Sequence, residues 1–136
     1  MIIPILMYHS IGSSKNELSV SNINFEKQLM FMKNNNYKTI SLNELNNLNE
    51  NLKYFIITFD DGYEDVYENA LPIMKKFGFH SICYFVTNLI GHYNIWDKDQ
   101  KNFNKLKLMD ADKIRSWLNN GMDIGAHSAT HKNLTT

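Results

Sequence analysis

Tyr54-Phe55-Ile56-Ile57-Thr58-Phe59-Asp60-Asp61-Gly62 is the stretch from which the rest of the chain can be read. Its first six residues are β-branched or aromatic with no breaker among them, which predicts a strand. The strand runs into Asp-Asp-Gly, a turn composition in which Gly62 supplies permissive backbone. Just beyond, Val66, Ala70, Ile73, Met74 and Phe77 fall on one helical face, and Gly78 sits where a helix ends. Pro72 inside that pattern marks a kink or a restart. Residues 81–86 then read as a second strand.

Upstream, residues 2–8 read as a short strand with Pro4 near its start, followed by a loop over 9–14. Phe25, Leu29 and Met32 predict an amphipathic helix over roughly 24–35. Ser41 with Glu44 has the capping-box spacing, and Leu42, Leu45 and Leu48 extend it into a short helix over 41–49. Downstream, residues 91–107 are polar with scattered aromatics and read as a long loop. Asp110 opens a helix carrying Ile114, Trp117 and Leu118, which Gly121 ends. Residues 122–126 form a last strand leading into His127-Ser128-Ala129-Thr130-His131. Strands alternating with helices predict an α/β fold with mainly parallel strands, a sheet or part of a barrel. In such folds chemistry gathers at the carboxyl ends of strands, which here carry Asp60 and Asp61 on one side and His127 and His131 on another.

The composition excludes several classes. With 136 residues, 14 basic and 14 acidic side chains, the chain has one domain's length and no net charge. Neutrality removes the electrostatic case for nucleic acid or an anionic membrane as the main partner. A hydrophobic content of 43% fits a packed core rather than disorder. Cys83 is the one cysteine, so no intramolecular disulfide and no thiolate zinc site is expected. No apolar run has the ~20 residues of a membrane span. Residues 1–8 lack the basic flank and cleavage site of a signal peptide, so a cytoplasmic location is the default expectation. Nineteen Asn and thirteen Lys against one Arg read as compositional drift on solvated surface.

Each pair of candidate residues has a plain reading. Asp60-Asp61-Gly62 is an ordinary turn, and His127 with His131 an ordinary polar pair. The sharper reading joins them. Adjacent carboxylates stay ionised in a partly buried site only with a cation nearby. Two His and one Asp make a nitrogen and oxygen donor set that leaves positions open for water and substrate. The second Asp is then available as a base. Such donors leave the metal's identity open.

Thr58-Phe59-Asp60-Asp61-Gly62-Tyr63 resembles the first motif of the polysaccharide deacetylases, the NodB-homology or carbohydrate esterase family 4 domain. His127-Ser128-Ala129-Thr130-His131 resembles the second. Pro72-Ile73-Met74-Lys75-Lys76-Phe77-Gly78 with Tyr84-Phe85-Val86, and Asn120-Gly121-Met122-Asp123-Ile124-Gly125-Ala126, are similar to the family's flanking text. Met7-Tyr8-His9-Ser10-Ile11 resembles the opening strand of the branch that includes poly-N-acetylglucosamine deacetylases.

The resemblance implies the N-terminal portion of a distorted (β/α) barrel, with residues 1–136 a deacetylase domain cut short at its C-terminus. It implies Asp61, His127 and His131 as metal ligands and Asp60 as catalytic base. Ser128 would support the second histidine's loop, and a backbone N–H near Tyr63 would hold the oxyanion. The metal implied is zinc, with Co²⁺, Ni²⁺ or Fe²⁺ as alternatives, and the partner an acetylated carbohydrate. Family members continue through three further motifs, supplying an arginine that orients the base and a late histidine as general acid. Turnover by this chain is therefore expected to be slow or absent unless another chain supplies the rest. His9 follows the first strand and can face the site, where a loop or substrate-wall role is expected ahead of a direct one, whereas His80 belongs at the opposite end and His92 in solvent. Open strand edges predict self-association.

Two other classes compete. A non-catalytic sugar-binding or interaction module would keep the scaffold and release no acetate. A non-haem iron oxygenase also uses two His and one carboxylate, but places one His beside the acid, unlike the order here. Many relatives are exported, so the location stays open.

Overall fold

The computed structural model describes residues 2–13, 17–99 and 101–135. Ser14 of the expected loop and Thr136 lie outside them. The predicted central strand is β5, Lys53–Phe59, and four other strands are bonded to it directly or in series. β1 (Ile5–Tyr8) runs parallel to it from Ile5 opposite Ile56 to Tyr8 opposite Phe59. β4 (Tyr37–Thr39) pairs with its first half, and β6 (Ile82–Phe85) with Thr58 and Phe59. β7 (Asp123–Ala126) pairs in turn with β6. All these pairings are parallel, as the alternation of strands and helices predicts.

A continuous apolar strand is what a parallel sheet covered on both faces requires. Phe55, Ile57 and Phe59 join the main core, while Tyr54 and Ile56 form a smaller cluster with Ile40 on the other face. The main core receives α1 (Asn22–Asn34) through Phe25, Leu29 and Met32. Ser21 caps α1 by accepting from Asn24 N. α3 (Ala111–Asn119) is capped by Asp110, whose Oδ1 accepts from Lys113 N at 2.9 Å. Trp117 of α3 is fully buried, stands edge-on to Phe59, and donates from Nε1 to Asp123 O at 2.8 Å.

Several elements differ from the sequence expectation. Ser10–Ile11 is a short strand, β2, parallel to β3 (Ser19–Val20), where a loop was expected. Asp65 holds it in place: Ser10 Oγ donates to Oδ2 at 2.5 Å and Ile11 N to Oδ1 at 3.2 Å. β4 has no breaker-bounded apolar run to announce it, and the exposed Lys38 at its centre hides it. The segment after Ser41 is a 3₁₀ helix, Leu42–Asn47, closed by Ser41 N donating to Glu44 Oε2. Pro72 marks a restart: Val66–Ala70 is a π-helical turn and α2 begins at Leu71, running to Phe77. Gly78 then closes α2 at φ 69°. Leu118 is exposed rather than packed, so the apolar stripe of α3 is narrower than its leucine suggests.

Trp117→Ala should lower unfolding free energy by about 3–5 kcal/mol through lost burial and the cavity left behind. Denaturant titration of the two proteins reads this as a shifted midpoint at similar slope.

Candidate metal and catalytic site

Where β5 ends, Asp60 N donates to Tyr8 O at 2.9 Å, which carries the pairing with β1 one residue further. The chain then reverses within a single residue. Gly62 N donates to Asp60 O at 2.9 Å across Asp61, whose φ is 71°. This is a γ-turn of the rarer, more strained hand. Gly62 follows at φ 78°, and a Cβ there would lie 2.4 Å from Phe85 Cδ1. The turn drives Asp61 inward to 3% exposure and leaves Asp60 half-buried.

Where β7 ends, His127 N donates to Phe85 O at 2.8 Å. The next four residues are not helical, although the spacing of four suggests one turn of helix. Ser128 and His131 instead adopt left-handed backbone, with φ 59° and 58°. Ser128 Oγ accepts from His131 N at 3.0 Å, and Ser128 O and Ala129 O accept from Thr87 N and Asn88 N. Three of the four non-glycine residues at positive φ among the described residues thus stand at this one place. Backbone strain of that kind, at of order 1–3 kcal/mol each, persists where the surroundings enforce it.

The result is convergence. His131 Nε2 lies 3.1 Å and His127 Nε2 3.5 Å from Asp61 Oδ1. One ligand atom from each of the three residues lies within 4.8 Å of the others. Asp61 Oδ1 is buried and accepts no hydrogen bond despite that proximity. The three groups crowd together with Oδ1 left unbonded, and this fits a divalent cation. Burial raises the Asp61 carboxyl above its ordinary range, against the lowering influence of His131, His9 and His127.

Asp60 stands outside that trio. His9 Nε2 approaches its Oδ2 to 4.0 Å, so His9 does lie at this end of the sheet. Tyr63 is 1% exposed and its ring packs at 6.3 Å from Trp96, so the ring offers no face to solvent. Burial foremost, with the charges of Asp61 and Asp97, pushes its phenol well above the usual range. His80 pairs with Asp123 at 3.2 Å at the amino ends of β6 and β7, the end away from the site. His92 is exposed. Cys83 is buried in the core, which raises its thiol well above its usual value.

Two features escape sequence reading. Asp65 fixes the segment after His9, and no local pattern singles it out from other acids. Residues 91–99 and 101–109, expected as a long loop over 91–107, include a strap bound to the Asp61 turn. Met109 N donates to Gly62 O, Glu64 N to Lys107 O, and Leu108 N to His92 O.

The polysaccharide deacetylase family model matches residues 47–136. The chain belongs to the polysaccharide deacetylase family. Over 137 aligned positions it is 31% identical to YxkH of Bacillus subtilis (strain 168), whose name assigns it provisionally to the polysaccharide deacetylases; the alignment covers 97% of this chain and 44% of that protein. It is 33% identical over 108 residues to the poly-β-1,6-N-acetyl-D-glucosamine N-deacetylase of Staphylococcus aureus (strain MSSA476), covering 76% of this chain and 37% of that one. The chain thus spans less than half the length of these curated relatives. Among solved structures, the Streptococcus pyogenes deacetylase PplD in complex with acetate superposes with TM-score 0.77 at 26% identity, over 97% of this chain and 58% of that one. IcaB from Ammonifex degensii superposes with TM-score 0.79 at 20% identity, over 93% and 53%, and speaks for the fold alone. The parallel sheet is accordingly a portion of the deacetylases' (β/α) barrel.

Gly62→Ala should disturb this site more than its size suggests, because it meets both the left-handed backbone and the Phe85 ring. Denaturant titration should show the variant less stable than the parent by about 1–3 kcal/mol.

Proposed function

We propose that this chain is a metal-dependent hydrolase that removes acetyl groups from an N-acetylated carbohydrate, and that residues 1–136 form the N-terminal part of a deacetylase domain. The observation that carries the proposal is the buried, unbonded Asp61 Oδ1 facing two histidine nitrogens, with a second carboxylate at its side. Asp61, His127 and His131 would hold the metal, zinc by preference for this donor set, with Co²⁺, Ni²⁺ or Fe²⁺ as alternatives. Bound there, a divalent cation supplies Lewis acidity toward an acetyl carbonyl and lowers the pKa of water.

The chain's own groups supply the rest. Asp60, half-buried and reachable from solvent, accepts a proton from the attacking water. A backbone N–H near Tyr63 steadies the oxyanion. As the carbon–nitrogen bond breaks, the departing amine needs a proton, and we assign its delivery to His9, whose Nε2 approaches Asp60 Oδ2 to 4.0 Å. The products are acetate and a free amino sugar. Ser128 keeps the left-handed loop of His131 closed.

The rival reading is a scaffold that binds sugar without turnover. Acetate release separates the two. Zinc titration calorimetry on the chain should show tight binding that Asp61→Ala and His127→Ala abolish. Incubation with acetylated chito-oligosaccharides should then release acetate, with Asp60→Asn and His9→Ala each slower by ~10²–10⁴-fold. Zinc binding without acetate release would favour the sugar-binding scaffold; no zinc binding by folded protein would remove the site.

We also propose self-association along the exposed flank of β1. Ile5 and Met7 of β1 and Phe31 of α1 are exposed and line a cavity of about 690 Å³. Sedimentation velocity should show mass rising with concentration, and Met7→Glu should suppress the rise. Among the described residues no helix is long and apolar enough to cross a membrane.

A further inference from the structure

The imidazole of His131 is about one-third exposed, so burial alone does not hold its plane. Among the described residues none accepts a hydrogen bond from its ring, the device that usually orients a ligating histidine. Two rings touch it: His127, tilted by 50° with centroids 5.2 Å apart, and Trp96, which stacks on it with centroids 4.5 Å apart and planes 20° from parallel. Trp96 is itself backed by Tyr63, the residue two after Asp61. Its position is fixed by Asn94, which is 1% exposed and clamps the strap: Nδ2 donates to Asn104 O at 3.0 Å and Oδ1 accepts from Leu106 N at 2.7 Å. Asn94 N also donates to Leu106 O at 3.1 Å.

A nitrogen ligand's lone pair lies in the plane of its ring. Rotation of the His131 ring about its side-chain axis would swing Nε2 away from the point it shares with Asp61 and His127. A flat neighbour stacked on one face opposes that rotation, whereas an aliphatic one of similar bulk does not. We propose that Trp96 is a positioning residue that holds the plane of His131 for metal binding, with Asn94 fastening Trp96 in place. The inference rests on the reading of Asp61, His127 and His131 as metal ligands. It also assigns the strap a task other than sugar stacking, because one Trp96 face is already occupied by His131.

The test compares Trp96→Phe, Trp96→Leu and Trp96→Ala with the parent chain, using zinc alone as the probe and thermal unfolding to show that each protein is folded. Trp96→Phe should bind zinc within about threefold of the parent, and Trp96→Leu and Trp96→Ala about 10–100-fold more weakly. In the metal-free proteins, the ring-proton resonances of His131 should carry an upfield ring-current shift in the parent and Trp96→Phe that is absent from Trp96→Leu. Asn94→Ala should reduce both effects in part. Parental affinity in Trp96→Leu would overturn the proposal and leave the metal site standing, as would equal weakening in the Phe and Leu variants, which would assign the effect to bulk. A folded parent that binds no zinc would instead remove the metal site itself, and the positioning role with it.

Discussion

The double-sided bonding of β5 is the constraint on which the rest hangs. Its Phe59 pairs with Tyr8 of β1 and with Cys83 of β6, so the strand end has no lateral freedom. Because the neighbours run parallel, their own carboxyl ends arrive at the same level. Tyr8 delivers His9, Phe59 delivers Asp60 and Asp61, and Ala126 delivers His127. Sheet register, set by apolar burial far from the site, thus becomes the instrument that brings distant residues within bonding distance.

Register alone does not finish the work. A strand continued past Phe59 or Ala126 would carry Asp61 and His131 away from one another. The left-handed residues at Asp61, Ser128 and His131 stop that and fold both ends back. Their strain is offset by bonds at their flanks: Tyr8 O and Phe85 O to the two strand ends, and Ser128 Oγ to His131 N. A buried carboxylate oxygen left without a partner is the remaining cost, and it is the cost a cation relieves.

Most of this was legible in the sequence for identifiable reasons. The strand at 54–59 announces itself because burial on both faces demands a continuous apolar run, and the structure returns it as Lys53–Phe59. Gly78 and Asp110 were readable because the ends of helices have chemistry of their own. β2 and β4 were not, since two or three residues carry no period and take their shape from partners distant in the chain. The grouping of Asp61 with the two histidines was reachable through strand ends, but the manner was not. A spacing of four invites a helix, and the chain satisfies it with left-handed turns. The stacking of Trp96 on His131 had no signal either, because nothing in a polar stretch tells which aromatic turns inward.

The His80–Asp123 pair closes β6 and β7 at the end away from the candidate site, one strand length from the histidines. The same two strands therefore present one end to chemistry and the other to cohesion alone. Evolution can vary the two separately: drift or improvement at the amino ends leaves the strained carboxyl ends untouched.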